Sequence, residues 1–402
     1  MPSRADYDIV LFGATGFTGE LTAQALNLQI PRGARWALAG RDQDKLAALR
    51  ERLAAIDPAA AELSLLTADV GDRATLEALA LSSRVVISTV GPYLAHGEAL
   101  VAACAKAGTD YVDLCGEPEF VDLMYLRYHR LARETGARLV HSCGFDSVPY
   151  DLGALFTISQ IPEAAEVPIA LEGFALASGA ISGGTYHSAV GALGRLKESG
   201  RVGRQRRSVE RHAPDGKLAE GRRVRGISRR PHRDRFAGGW VVSAPTIDPQ
   251  QVLRTARLNE QYGPDFSYAH YIVTRKLRTT VALGAVVGCA AMLAQVGLTR
   301  RMLLKLKRSG SGPSEGKRAK SFFRVRFRAR VGGGQPRVVI TEVSGGDPGY
   351  GETAKILAHS ALCLAFDEVP ATGGGQWSPA LALGQPLIDR LVEAGILFRV
   401  VE

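Results

Sequence analysis

Seven residues near the N-terminus carry the clearest chemical signal. Gly13-Ala14-Thr15-Gly16-Phe17-Thr18-Gly19 follows an apolar run, Tyr7–Phe12, and precedes a stretch with helical spacing. Glycines so spaced let backbone N–H groups and a helix N-terminus approach a pyrophosphate. A tight strand-to-helix turn that binds nothing would use the same residues, but the strand before and the helix after favour a dinucleotide site. The next apolar run ends in Gly40-Arg41-Asp42. A carboxylate there would accept the ribose 2′-OH, whereas Arg41 suits a 2′-phosphate through a charge-assisted bidentate contact. NADP(H) is therefore the expected cofactor, with Lys45 a candidate helper and Asp42 a competing acid. Asp69 and Val70 are candidates for the adenine side, or simply a helix N-cap for the run from Asp72. Thr89, Gly91 and Pro92 end a later strand where the nicotinamide half belongs, with Tyr93 and His96 beside them.

Further donors lie downstream. Cys143–Pro149 places Asp146 and Ser147 at the close of the first alternating region. Asp146 is either a catalytic acid or the cap of a helix starting near Pro149. Tyr186 and His187 follow Gly183-Gly184-Thr185 and offer a phenol and an imidazole; a structural pair would look the same. No Tyr-x-x-x-Lys pair occurs, and no His/Cys spacing suits a metal. The five cysteines are scattered and unpaired in spacing, as expected of reduced thiols on the cytoplasmic side. No signal-peptide pattern precedes the first strand.

The elements that must hold these residues alternate regularly. Strands are expected at Tyr7–Phe12, Arg35–Ala39, Leu63–Ala68, Val85–Thr89, Asp110–Leu114 and Ala137–His141, with helices between them. Apolar strands alternating with helices imply parallel βαβ units covered on both faces. The expected fold class is α/β: a Rossmann doubly wound parallel sheet with a second, mixed α+β substrate domain. Residues 1–150 would form the dinucleotide-binding domain, joined by the C-terminal tail 349–402. Residues 151–348 would form the substrate domain. Its best-marked strand ends the run Ser321–Arg330, where Phe323, Val325, Phe327 and Ala329 alternate with four arginines.

Charge is uneven. Between Arg195 and Arg235 stand 15 Lys/Arg against 5 Asp/Glu, and between Arg300 and Arg330 stand 12 against 1. The first block lacks interleaved aromatics, so nucleic acid is an unlikely partner and a solvated surface insertion, 195–235, is the expectation. Between the blocks, 279–299 contains no charged residue. A single membrane span is disfavoured because both flanks are basic. The choice lies between a buried helix, with Gly284, Gly288 and Gly297 permitting close packing, and a membrane-surface contact through 279–308. The second option would place a cytoplasmic protein at the inner face of the plasma membrane.

Taken together, GATGFTG at Gly13–Gly19, Ala39-Gly40-Arg41, CGFDSVP at Cys143–Pro149, SGGT at Ser182–Thr185, YGPDF at Tyr262–Phe266 and TEVSGGDPGYGET at Thr341–Thr353 make the chain resemble the saccharopine dehydrogenase-like family. Within it the chain is most similar to the trans-acting enoyl reductases. The resemblance runs nearly end to end. It implies an NADP-dependent oxidoreductase that reduces a C=C bond of a lipid or polyketide acyl intermediate, carried on a separate synthase. Saccharopine-type reductive C–N chemistry and a non-catalytic NADP-binding scaffold or sensor are the alternatives. Enoyl reduction asks for hydride at the β-carbon, a donor for the enolate oxygen and a proton at the α-carbon. The catalytic candidates are therefore Asp146, Ser147, Tyr186 and His187.

Overall fold

A computed structural model describes residues 5–178, 183–213, 218, 221–243, 246–306 and 314–401. Two sheets organise them. The first has seven strands, in spatial order Gly375–Trp377, Arg138–Val140, Asp110–Asp113, Ser83–Ser88, Tyr7–Phe12, Trp36–Gly40 and Ser64–Thr67. Every pairing in it is parallel. The expected strands are all present, each within about two residues of its anticipated ends. The order reverses at Tyr7–Phe12, which was laid down first and sits between later strands. That crevice at the carboxyl edge is where doubly wound folds bind ligands.

The second sheet has eight strands and mixes directions. Phe322–Val331 runs antiparallel to both Ile169–Ser178 and Arg337–Gly345, while Asp265–Thr274 runs parallel to Ile169–Ser178. Phe323, Val325, Phe327, Ala329 and Val331 are buried, as the alternation demands. The arginines on the opposite face find acids: Arg328 and Arg330 meet Glu172, and Arg324 and Arg326 meet Glu342.

The C-terminal tail serves both sheets. Gly375–Trp377 adds the seventh strand to the first, and Leu397–Val400 pairs with Arg337–Gly345 in the second. Asp151, in the helix Val148–Ser159, ties the tail down by accepting from the Thr255 hydroxyl at 2.6 Å and the Ala380 N–H at 2.9 Å.

Two expectations need correction. Part of the basic insertion is packed structure. The helix Leu196–His212 lies on Pro118–Thr135, with Arg206 buried against Asp122 and Glu210 and over the Tyr125 ring. A guanidinium is buried only when paired, and here both carboxylates and an aromatic face supply the partner. The glycines of 279–299 do not serve packing. A Cβ at Gly284, Gly288 or Gly297 would meet nothing within 4 Å. The helix Leu277–Gln295 buries only Thr280 and Ala294.

Candidate active site

The glycine turn is shaped by its own backbone. Gly13 has φ +84°, and a Cβ there would lie 2.6 Å from Val90. A Cβ on Gly19 would collide with the Gly13 carbonyl oxygen. Gly16 is different. Its nearest obstacle is that same oxygen at 3.4 Å, and it is exposed at the N-cap of helix Phe17–Gln29. Nothing in the chain requires glycine there, so the open side suits a ligand that comes close to the backbone. The Thr89 hydroxyl fixes the turn from the neighbouring strand by donating to the carbonyls of Phe12 and Gly13 at 3.2 and 3.0 Å. Thr15 lies in the turn and Thr18 in the first turn of the helix, and the Phe17 ring packs edge-on to Tyr350, 4.8 Å away, beneath the Arg318 guanidinium.

At the end of the second strand, Asp42 caps the helix Gln43–Ala54 and pairs with Lys45 at 2.9 Å. These two groups satisfy each other. Arg41 is exposed and, among the described residues, has no hydrogen bond or ion pair. A free guanidinium beside a dinucleotide crevice fits a 2′-phosphate. Asp69 accepts from the Gly71 N–H at 2.8 Å and so closes a turn, while Val70 packs on the core; Asp72 is the helix cap.

Gly91 and Pro92 lead into a short helix, Tyr93–His96, whose first two N–H groups are received by one carboxylate. Glu117 accepts from Tyr93 N–H at 2.9 Å and Leu94 N–H at 3.1 Å, and also from the Ser188 hydroxyl at 2.7 Å. Glu117 thus holds the segment Tyr93–His96 and joins it to the helix Gly183–Leu193. Tyr93 is structural: its buried hydroxyl donates to the Ser88 carbonyl at 2.9 Å. The Tyr186 hydroxyl is likewise engaged, donating to the Leu303 carbonyl at 2.9 Å, with the His187 ring 6.1 Å away.

Asp146 is the distinctive group. The helix after it begins at Val148 with Ser147 as N-cap, so Asp146 does not cap it. Its carboxylate has no hydrogen bond among the described residues and sits beside Gly116, where a Cβ would be 3.2 Å from Oδ2. The residue is exposed, and desolvation by the protein atoms around its carboxylate raises the pKa. Ser147 Oγ is buried and unpartnered.

Sequence reasoning missed a buried polar cluster around Asp248 and His270. Asp248 is buried at the start of helix Asp248–Leu258. His270 Nε2 lies 3.6 Å from its Oδ2, and Tyr268 Oη lies 3.2 Å from His270 Nδ1. The Tyr150 ring stands edge-on to the His270 ring at 4.8 Å. Burial, reinforced by the Asp146 charge, raises the Asp248 pKa well above its ordinary value, and burial lowers His270 to about 4. The alternation of Ser267, Tyr268, Ala269 and His270 along a strand was the available clue. Nothing in the sequence linked it to Asp146.

The comparisons with known proteins now bear on this geometry. Residues 9–140 match the family model described as the saccharopine dehydrogenase NADP binding domain. A Mycobacterium tuberculosis protein named as a trans-acting enoyl reductase is 37% identical, over 97% of this chain and 96% of the relative. The Mycobacterium ulcerans trans-acting enoyl reductase is 35% identical over 98% of both. The chain belongs to this family. Its first domain is an NADP-binding domain, and the protein is an NADP-dependent oxidoreductase of the saccharopine dehydrogenase-like kind. The fold agrees: Saccharomyces cerevisiae saccharopine dehydrogenase (L-Glu forming) superposes with a TM-score of 0.58 at 11% identity, covering 98% of this chain and 100% of that one. A surface hollow of about 220 Å³, lined by Arg225, Asp265 and Arg330 among others, includes neither the glycine turn nor Arg41, Asp146, Asp248 or His270.

Proposed function

We propose that the protein reduces the α,β-double bond of a lipid or polyketide acyl intermediate presented on the carrier of a separate synthase. The observation that carries this reading is Asp146, an exposed carboxyl group beside Gly116 with a raised pKa and no hydrogen bond among the described residues. That glycine lies in the loop that carries Glu117. Gly13, Gly16 and Gly19, the N-terminus of helix Phe17–Gln29 and Arg41 would hold the dinucleotide, which supplies the hydride for the β-carbon when bound. Ser147 Oγ would donate to the developing enolate oxygen. Asp146 would give a proton to the α-carbon. With its hydroxyl committed to Leu303, Tyr186 is the weaker donor.

Purified protein should oxidise NADPH only when an enoyl thioester is supplied, and deuteride from labelled NADPH should appear at the β-carbon. Label on a carbon bonded to nitrogen would favour saccharopine-type chemistry. NADPH binding without turnover on any thioester would favour a scaffold or sensor. Arg41→Ala should weaken NADPH binding several-fold and leave NADH binding nearly unchanged. Equal loss for both would remove Arg41 from the 2′-phosphate site.

The place of work is a second part of the proposal. Val286 and Met292, each 67% exposed, head a series of bare apolar side chains on Leu277–Gln295 that continues through Leu298, Met302 and Leu306. Arg275, Lys276, Arg278, Arg300, Arg301 and Lys305 flank them; Lys307 and Arg308 lie outside the described residues. Apolar surface framed by cations matches an anionic lipid surface. The helix pair is fastened to Gly183–Leu193 through Gln295 and Tyr186, and that helix touches Glu117. Lipid-bound substrate would thus arrive beside the nicotinamide loop, at the cytoplasmic face of the plasma membrane. The protein should co-sediment with anionic vesicles and less so at high salt. No binding at low salt, with the helix pair intact, would rule this out.

A further inference from the structure

The basic block between Arg300 and Arg330 contains a guanidinium that the chain itself leaves unused. Arg318 closes the short turn Glu315–Arg318, which leads into the strand Phe322–Val331 of the second domain. On that strand Arg324, Arg326, Arg328 and Arg330 all reach carboxylates. Arg318 is half-buried and makes no hydrogen bond or ion pair among the described residues. Its contact is with the other domain. The guanidinium carbon lies 5.7 Å from the centroid of the Phe17 ring, a cation–π distance. Phe17 is the first residue of the helix that the glycine turn opens. Its ring is held edge-on by Tyr350, 4.8 Å away and itself 1% exposed. The Tyr350 and Gly351 N–H groups both donate to Asp347 Oδ2 at 3.1 Å, so this platform is fixed. The helix is short of a partner too. Its N-cap is Gly16, and no side chain caps its first N–H groups. Glu20, the acid of its first turn, pairs with Arg52 at 3.1 Å instead. An uncapped helix N-terminus and an unpaired guanidinium thus meet at one residue from two domains, and both favour negative charge.

We propose that Arg318 is a cofactor-binding residue supplied by the second domain, standing over the glycine turn and neutralising the pyrophosphate of NADP(H). The family match spans residues 9–140 and so assigns no such role to any residue beyond them. Place selects the pyrophosphate over the 2′-phosphate. Phe17 follows the first strand, whereas Arg41 ends the second. A doubly wound fold lays the pyrophosphate on the first turn and the adenosine ribose by the second strand. The aromatic face steadies a long side chain and leaves the N–H edges of the guanidinium for phosphate oxygens. A link between the domains results. Phe323, on the strand that Arg318 precedes, packs at 5.0 Å against Phe145, the neighbour of Asp146 in sequence. Cofactor held by Arg318 would join the Rossmann turn to the strand beside the Asp146 loop. This role needs only the NADP-binding domain and is independent of the acyl substrate.

Titrating NADPH and NADH into the full-length protein, followed by calorimetry, tests the assignment without turnover. Arg318→Ala should weaken both cofactors alike, by at least about fivefold, because both carry the pyrophosphate. Arg318→Lys should recover part of the loss, since the charge remains and the planar fork does not. Phe17→Leu removes the ring and should weaken both by a smaller factor, about two- to threefold. The nucleotide 2′-AMP has the 2′-phosphate and no pyrophosphate, so it should bind the parent and Arg318→Ala equally. Arg41→Ala should give the opposite pattern, with loss for NADPH and 2′-AMP alone. The unfolding midpoint of Arg318→Ala without cofactor should match the parent. A clearly lower midpoint would make Arg318 a structural residue and count against the proposal. Unchanged affinity for NADPH and NADH would overturn it. So would a loss confined to NADPH and 2′-AMP, which would move Arg318 to the 2′-phosphate beside Arg41.

Discussion

Two helices of this protein are similarly apolar and meet opposite fates. Gly351–Phe366 contains Glu352, Lys355 and His359, yet thirteen of its sixteen residues are buried. Leu277–Gln295 carries Arg278 as its one charge, yet only Thr280 and Ala294 are buried. Hydrophobicity alone would have reversed the assignment. The difference lies in neighbours. The first helix packs on Phe17–Gln29 and on the strand Ser83–Ser88, so the Rossmann sheet covers it. The second touches mainly Gly183–Leu193 and Gly297–Lys305, which are too few to surround it. Each large apolar side chain left in water forgoes roughly 1.5–3 kcal/mol that burial would return. For the exposed helix that energy remains available to a partner, which is why its surface reads as a docking element.

The largest expected effect separates the two helices by truncation. Leu362→Ala opens a cavity in a fully buried helix and should cost about 2–5 kcal/mol of unfolding free energy. Val286→Ala removes atoms already in water and should change stability by less than about 0.5 kcal/mol. Denaturant titration of both variants measures this. A large loss at Val286 would mean that the exposed helix has an internal partner after all, and the contrast would collapse.

Acid should act on the buried helix and spare the exposed one. His359 is 3% exposed, with both ring nitrogens unpartnered. Burial first, then Arg390 and Lys355, lowers its pKa to about 4. The unfolded chain holds that proton with a pKa near 6.5, so between these values it binds more protons than the folded state. Stability is therefore complete above about pH 6.5 and falls as pH drops toward 4, by up to about 3 kcal/mol. His359→Leu should abolish this share of the acid loss, seen as a smaller difference in unfolding free energy between pH 7 and pH 4. An unchanged difference would show that the ring reaches water in the folded state.

What the sequence could and could not reveal follows the same contrast. The Rossmann half was legible because its signals are local: a glycine turn after an apolar strand, and strands without alternation between helices. Arg41 could be proposed because its position is counted from a strand end. Asp146 was visible as a motif residue, though its freedom from capping duty was not, since that depends on where the helix begins by one residue. Asp248, His270 and Glu117 stayed hidden because each acts on a group more than 20 positions away or in the other domain, and no period in the sequence encodes that meeting. Burial of Arg206 was obscured by composition. The surrounding block is basic, and of its two neutralising carboxylates Glu210 lies one turn on along the same helix while Asp122 comes from Pro118–Thr135.

The smallest effect tests the contrast at single glycines. Gly288 lies within the exposed helix, and a Cβ there would meet nothing within 4 Å. Glycine in a helix interior is less favourable than alanine by roughly 0.5–1 kcal/mol, because the unfolded chain loses more freedom on folding. Gly288→Ala should therefore be neutral to stabilising by that amount. Gly153 occupies the opposite setting. It lies in the buried helix Val148–Ser159, and a Cβ there would strike the Phe327 ring and approach Val343 at 3.0 Å. Both obstacles belong to strands of the second sheet, so neither can retreat without moving the sheet, and Gly153→Ala should destabilise. Thermal unfolding of the two variants should shift in opposite directions. If Gly288→Ala also destabilises in solution, the apolar helix is packed against a second copy of the chain, and its glycines serve that interface. Repeating the melt across protein concentrations would then show a concentration-dependent midpoint for the parent that the variant lacks.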